Sequence, residues 1–481
     1  MTRLLFASIR KTLKPVLPSG NGRKWECRRI VDLSLGGVFI VRHGNVMRNH
    51  LTQFAAPILF KIRFGMGGAR LAVISLLLIV ICTAELLGQR RGDNKKVVVS
   101  EIIDIAPSLG REQYCYASEY FSEIRYIELE STEQSFMRGI KDIKVTEKGI
   151  FILTNNYIIL RFSNTGKFLN KIGAIGRGPG EYIIPVKINI LDGTDILTVL
   201  ESSSGARVHL FRPDGKLVKT VKSDIPRDVA AYRNDRVFYW TNMPYLKKED
   251  PYSLRITDMN GRKNLNLLHR TSMLAPNPFL MKMSETNFWE YADSLTVWEA
   301  NIDTVYRFDP VRESVSARFV LKAGSDHLTW DKRLRTVQGD NDVRKKTIYF
   351  NDLLESRSLI FLTARMKGET RYYVYTKGTG SVVSIAPLPI IPGKLQWNGL
   401  INDLDGGYSF WPAGVFSENE VFQTIEPLVL KSRITNLETL QKAKLLPPEL
   451  KFNQEEYEKL KARIMAADEN SNPWIVVAKL K

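Results

Sequence analysis

Cysteine is scarce in this 481-residue chain, with only Cys27, Cys82 and Cys115. Three thiols are too few for a disulfide framework, so the fold must rest on an apolar core, and the chain is long enough to build one. Histidine is nearly as rare. None of His43, His50, His209, His269 and His327 forms an i,i+4 pair or stands at ligand spacing to a cysteine, so a zinc site has no motif to rest on. There is no G-x-x-x-x-G-K-[ST] loop and no G-x-S-x-G nucleophile turn. Asn402, Asp403 and Asp405 offer oxygen atoms to calcium, but no twelve-residue loop closes on a glutamate there. Such residues serve equally well as turn formers. No metal and no cofactor is assigned. Apolar runs are short as well. The run LAVISLLLIVI at 71–81 has eleven residues, too few to span a bilayer, and extending it to Gly88 buries Glu85.

Acidic residues are scarce mainly at the start of the chain. The formal charge is +18, yet thirteen Lys and Arg stand against Glu26 and Asp32 in residues 1–70, which carry +11 of it. A basic balance suggests nucleic acid as a partner. Here that reading depends on residues 1–65 being retained, and no nucleic-acid partner is expected without them. From Met66 the chain reads as a secretory signal: MGGAR, the apolar run, then Cys82, Thr83 and Ala84. We read 66–88 as that signal, and 1–65 as an upstream extension or a disordered basic segment. Cys82 ends the apolar run, as a lipidated cysteine does, although Ile81 before it is larger than usual. The competing site is cleavage after Ala84. Residues 89–120 are polar and mixed, and are taken as a tether.

Strand patterning dominates from Phe121 to Ile434. IKDIKV, IFILT, YIILRF and KFLNKI are joined by TEKG, NN and SNTG, turn chemistry that makes an antiparallel meander. After GAIGRGPGEY (173–182) the pattern repeats, and then repeats again. The same turn glycine recurs at Gly166, Gly215 and Gly261, 49 and 46 residues apart. That period is a propeller blade, whose sheet buries its faces against its neighbours. Six such sets can be delimited. The sixth is read as running from LINDLDGGYSFWP to EPLVLKSRI. Residues 435–470 have helical spacing, and NPWIVVAKLK (472–481) reads as a final strand. The expected fold is an all-β, six-bladed β-propeller of four-stranded antiparallel blades. Its ring would be closed by the C-terminal strand paired back into a terminal blade, or by FSEIRYIELE from the other end, since an open ring leaves an exposed strand edge.

IGAIGRGPGEY (172–182), NDLDGGYSFWP (402–412) and NPWIVVAKLK (472–481), set in this blade pattern, resemble the exported bacterial six-bladed β-propeller proteins related to NHL-repeat and TolB-like propellers. The resemblance implies the propeller fold and an envelope location, either periplasmic or as an outer-membrane lipoprotein attached through Cys82. It implies no reaction.

Function must therefore come from loops. The long polar or aromatic ones are 173–185, 242–251 and 402–412. They supply Arg177, Glu181, Tyr182, Tyr245, Asp403, Asp405, Tyr408 and Trp411. Arg177, Glu181, Tyr182, Asp403 and Trp411 are the candidate recognition residues, brought to one end of the channel when the ring closes. The alternative has Arg177 and Glu181 satisfied within their loop and Trp411 buried between blades. In the first reading the protein is a monomeric, non-enzymatic envelope propeller binding a protein, peptide or glycan. In the second it is a propeller hydrolase or lyase with a metal in its channel.

Overall fold

The computed structural model describes residues 28–33, 37–42 and 101–481, apart from 192–193, 204, 223–228, 234–235, 242–245, 247, 261–264, 271–285, 292–293, 301, 338 and 388–398. The signal-like segment 66–88 with Cys82, the turn glycine Gly261 and the loop residue Tyr245 lie outside the described residues. The chain forms two units, Met1–Lys96 and Val97–Lys481. In the first, Arg28–Leu33 pairs antiparallel with Gly37–Arg42, a strand pair in a segment whose sequence shows little periodicity.

The second unit is a six-bladed β-propeller, and its blades follow the chain. Blade 1 holds Ile140–Thr146, Gly149–Thr154, Ile159–Phe162 and Phe168–Lys171. Blade 2 holds Pro185–Ile190, Leu197–Ser203, Gly205–Phe211 and Leu217–Lys222. Blade 3 runs from Val229–Arg233 to Leu265–His269, blade 4 from Thr286–Tyr291 to Ser314–Lys322, and blade 5 from Ile348–Glu355 to Ser381–Ile385. The first strand of each blade is the inner one. Ile188 of blade 2 donates its N–H to Asp142 Oδ2 of blade 1 at 2.9 Å. Lys187 passes blade 3 to reach the Thr286 carbonyl at 2.8 Å and Asn287 Oδ1 at 3.1 Å in blade 4. Second strands lie between neighbouring blades and are buried on both faces, so they read as unbroken apolar runs rather than alternating ones. All six residues of Gly149–Thr154 and the first six of Leu359–Met366 are buried.

Blade 6 closes the ring from both chain ends. Its order is Gly414–Ser417, Glu420–Ile425, Trp474–Leu480, Phe121–Glu128. The C-terminal strand is central, with Ile475 opposite Thr424 on one side and Ile127 on the other. The repeating turn glycine has a packing reason. Gly166 and Gly215 adopt φ of 90° and 88°, and each sits on the end of the outer strand of the preceding blade. A Cβ on Gly166 would run into the Glu128 carbonyl, and one on Gly215 would come within 2.6 Å of the Lys171 carbonyl. Blades 1 and 2 thus each seat on the preceding blade at a residue without a side chain, which is why the glycine recurs there.

Two expectations are corrected. The supposed tether is not free over 101–120. Ile102–Asp104 adds a parallel fifth strand to blade 4, Gln113 bridges to Ile385 of blade 5 and Tyr116 to Ile401. The strap ends in the single helical turn α1 (Ala117–Tyr120). Ile103, Ile105, Cys115 and Ala117 are fully buried, so small clusters of apolar residues in a polar segment made it a strap. The stretch EPLVLKSRI is helical rather than strand. After the short helices α2 (Trp330–Val337) and α3 (Asn341–Lys346), the chain forms α4 (Pro427–Lys442) and α5 (Gln454–Ala466). Pro427 opens α4, where its fixed φ suits a first turn. Leu430, Ile434, Leu437 and Leu440 form its buried stripe.

Candidate functional site: the crossover face

In a meander of four strands, the connection to the next blade and the second-to-third strand turn leave at one end of the inner strand. The remaining turns leave at the other. The loops at 173–184 and 400–413, the turn at 155–158, and the insertion carrying α4 and α5 all connect strands in this way. They share one face of the ring, here termed the crossover face.

The glycine loop is folded tightly upon itself. Ala174–Ile175 pairs in parallel with Glu181–Tyr182, and the Glu181 carboxylate accepts the Gly178 N–H at 2.6 Å. A Cβ on Gly176 would fall on that carboxylate and push the Glu181 side chain aside. Tyr182 is buried. Its hydroxyl donates to the Ile172 carbonyl at 2.9 Å and accepts the Ile159 N–H at 3.2 Å. Burial pushes this phenol up to about 12. Glu181 and Tyr182 are therefore committed to shaping the loop. Arg177 is exposed at its tip and, among the described residues, has neither a hydrogen bond nor an ion pair.

The second motif is also committed internally. Asp403 receives the Ser118 N–H at 2.9 Å and the Ser118 hydroxyl at 2.5 Å, and its carbonyl accepts the Asn453 N–H at the start of α5. It ties the strap to the C-terminal helices. Trp411 is half-buried, edge-on to Tyr372 at 4.8 Å and Phe361 at 5.4 Å, between blades 5 and 6. Asp405 is buried. Its Oδ1 accepts from Tyr126 Oη, Asn402 Nδ2 and the Gly407 N–H at 3.1, 2.7 and 2.9 Å. Burial outweighs these donors and raises its carboxyl to about 6. Arg433 lies close by and is also buried, which lowers its guanidinium to about 9. Of the five candidates, all are on the crossover face, and Arg177 is the one that faces solvent unpaired.

The structure brings other residues to that face beside Arg177. Phe136, Tyr157, Ile175 and Ile184 are 50, 37, 54 and 39% exposed. Tyr157 has φ 67°, a left-handed conformation unusual for a bulky side chain. The Lys141 ammonium lies 4.6 Å from its ring centre and donates to the Pro185 carbonyl at 3.2 Å. Asn155 holds the preceding crossover through the Gly139 and Arg138 carbonyls. Sequence reading missed these residues because the charged and aromatic members of the long loops were weighed and isolated apolar ones were not. The one available signal was a tyrosine following NN, where a glycine would be the ordinary choice.

A family model described as "Domain of unknown function (DUF4934)" matches residues 100–479. The chain belongs to that family. The match includes both the strap and the closing strand of the DUF4934 propeller. Among solved structures it is similar to a protein from Bacteroides fragilis NCTC 9343 that its name gives as a candidate for export. The identity is 14% and the TM-score 0.57, over 79% of this chain and 99% of that one. A member of the DUF4221 family from Bacteroides vulgatus ATCC 8482 aligns at 12% identity and TM-score 0.42, over 75% of this chain and 97% of that one. A search among curated proteins finds no relative.

The DUF4934 propeller also holds two buried polar clusters away from this face's loops. Glu355 accepts from Arg318 at 2.6 Å, Lys377 at 2.7 Å and Trp289 Nε1 at 2.8 Å, fastening blade 4 to blade 5. In blade 2, His209 lies 2.8 Å from Glu201 and 3.0 Å from Thr220 Oγ1. A hydroxyl–imidazole–carboxylate chain suits an activated nucleophile, but here Thr220 stands directly opposite His209 in the strand ladder. The imidazole is buried with both nitrogens engaged, as in a cross-strand staple. Among the described residues no three His, Cys, Asp or Glu side chains gather as metal ligands. No described helix is long and apolar enough to cross a membrane.

Proposed function

We propose that this DUF4934 chain is an exported cell-envelope recognition propeller that binds a protein, peptide or glycan through its crossover face and carries out no reaction. The observation that carries this reading is the contrast within one loop. The polar members Glu181 and Tyr182 are consumed by the fold, while Arg177 is presented to solvent beside exposed Ile175. Loops held rigid by a scaffold, with a charge and apolar area left free, suit recognition. Export is supported by the signal pattern at 66–88 and by the name of the Bacteroides fragilis neighbour. A lipid on Cys82 would place the protein on a membrane, and cleavage after Ala84 would leave it in the periplasm. Kinship with NHL-repeat and TolB-like propellers, and a monomeric state, belong to the same reading. The metal-hydrolase alternative is disfavoured by Lys187, whose ammonium already brings a positive charge to the inner strands.

The test is photo-crosslinking in the native host. A crosslinking residue at Ile175 should yield a partner adduct, and one at exposed Thr165, in a turn at the opposite end of blade 1, should not. Adducts from Thr165 alone would refute the face, and stoichiometric metal in purified protein would revive the alternative. Intact mass of the N-terminus decides between Cys82 lipidation and cleavage.

A further inference from the structure

Resting on that reading, we infer that the crossover face of blade 1 takes a polypeptide segment in which carboxylates stand next to apolar or aromatic side chains. The loops that carry this surface are tied to one another. Asn155 ties the 136–139 segment to the 155–157 turn through the Gly139 and Arg138 carbonyls. Lys141 ties Tyr157 to Pro185, next to Ile184. Ile175 is fixed by its pairing with Tyr182. Four apolar or aromatic side chains, Phe136, Tyr157, Ile175 and Ile184, are thus displayed on neighbouring loops, and exposed apolar area of this kind marks an interaction site. Tyr157 adds a second observation. Its left-handed backbone is strained. It is held by Thr154, whose hydroxyl accepts the Ile158 N–H at 3.0 Å and donates to the Ile158 carbonyl at 2.9 Å. The fold tolerates this strain while the ring it displays remains exposed.

Charge selects the partner. Arg138 and Arg177 are exposed on the same loops as Phe136 and as Ile175 and Ile184. Lys141 is committed to Tyr157 and Pro185, and burial lowers its ammonium. The loop's own acid, Glu181, is turned onto Gly178. The 129–139 crossover exposes two acids, Glu130 and Glu133, and Glu130 is engaged by the Phe168 N–H at 2.8 Å. A positive rim around an apolar centre complements an acidic segment with apolar side chains. The aliphatic surface of Ile175 and Ile184 gives nothing to sugar hydroxyls, which would lose water contacts against it. That favours polypeptide over glycan.

The test uses the full chain with four soluble polymers: a random Glu–Tyr copolymer, polyglutamate, polylysine and polygalacturonate. The copolymer should bind about fivefold or more tighter than polyglutamate, because the rings add contact area. Its affinity should fall about tenfold or more between low and high salt. Arg138→Ala with Arg177→Ala, and separately Tyr157→Gly, should each weaken it about tenfold with unchanged melting temperature. Glycine relieves the strain at 157, so that variant keeps its fold. Binding unchanged in both variants, or polygalacturonate bound as tightly as the copolymer, overturns the inference. A crosslink from Ile175 without copolymer preference would leave the face standing and refute this partner chemistry. No crosslink would refute both.

Discussion

Asn472 precedes the closing strand, and its side chain joins that strand to the crossover from blade 6 to blade 1. It is fully buried. Its Oδ1 accepts the Met137 N–H at 3.0 Å, and its Nδ2 donates to the Glu130 and Ser135 carbonyls at 2.9 and 3.0 Å. Asn472→Ala removes all three bonds. The Glu130 carbonyl keeps a donor, the Ser135 hydroxyl at 2.7 Å. The Met137 N–H and the Ser135 carbonyl have no replacement, and a buried group left unsatisfied costs roughly 1–3 kcal/mol. Two such groups give a loss of roughly 3 kcal/mol, a large part of a typical net stability. Urea unfolding of the full chain should show this as a lower midpoint at unchanged slope. Asn470→Ala, at an exposed site two residues away, should stay within about 0.5 kcal/mol. Asn472→Asp sharpens the test. It keeps the acceptor for Met137 but sets a second acceptor against two carbonyls. Its deficit relative to wild type should therefore shrink in acid, where a protonated carboxyl can donate to one of them. A loss under about 0.5 kcal/mol for Asn472→Ala would mean that the crossover is not anchored there.

Other expectations follow from the same contacts. Gly368 has φ 86° with open space around it, whereas Gly215 has φ 88° against the Lys171 carbonyl. Gly368→Ala should cost roughly 1–2 kcal/mol, the left-handed penalty alone, and Gly215→Ala clearly more by thermal melting. Equal losses would refute the seating of blade on blade. Tyr182→Phe orphans the buried Ile159 N–H and Ile172 carbonyl and should cost roughly 2 kcal/mol, while Arg177→Ala should be neutral in the same denaturation assay. Asp405 titrates at about 6 in the folded state, against 3.8 for an ordinary aspartate carboxyl. The folded chain binds the extra proton between these values, so the contribution of Asp405 to stability is greatest below about 4 and declines as pH rises through about 6. Asp405→Asn keeps the accepting oxygen and removes the charge. Its stability relative to wild type should therefore be higher at pH 8 than at pH 4, and a pH-independent difference would contradict the buried ionisation.

The blades were legible from sequence because their causes are local. Strand alternation and turn residues are read within ten residues, and Gly166 and Gly215 repeat because blades 1 and 2 meet their predecessors in the same way. The closing strand was legible too, since Trp474–Leu480 is apolar enough to require burial on both faces. The strap and the first half of α4 were misread where a short apolar cluster fits several backbone paths. The helical spacing was read from 435 onward, and only Leu430 and Ile434, on the same buried stripe as Leu437 and Leu440, separate a helix from the strand expected over EPLVLKSRI.

The division between structural and available residues on the crossover face could not be read from the chain. Asp403 looks like a loop acid until Ser118, 285 residues earlier, is brought to it. Trp411 looks like a contact residue until Phe361 and Tyr372 close around it. Glu181 is consumed within its own loop and Tyr182 by Ile159 and Ile172 of blade 1, but only the folded loop shows that Arg177 is not. Sequence sets which residues carry charge and apolar area, because that is covalent chemistry. Whether those groups meet the fold or the solvent depends on partners that are distant in the chain, and the tertiary structure alone brings those partners together.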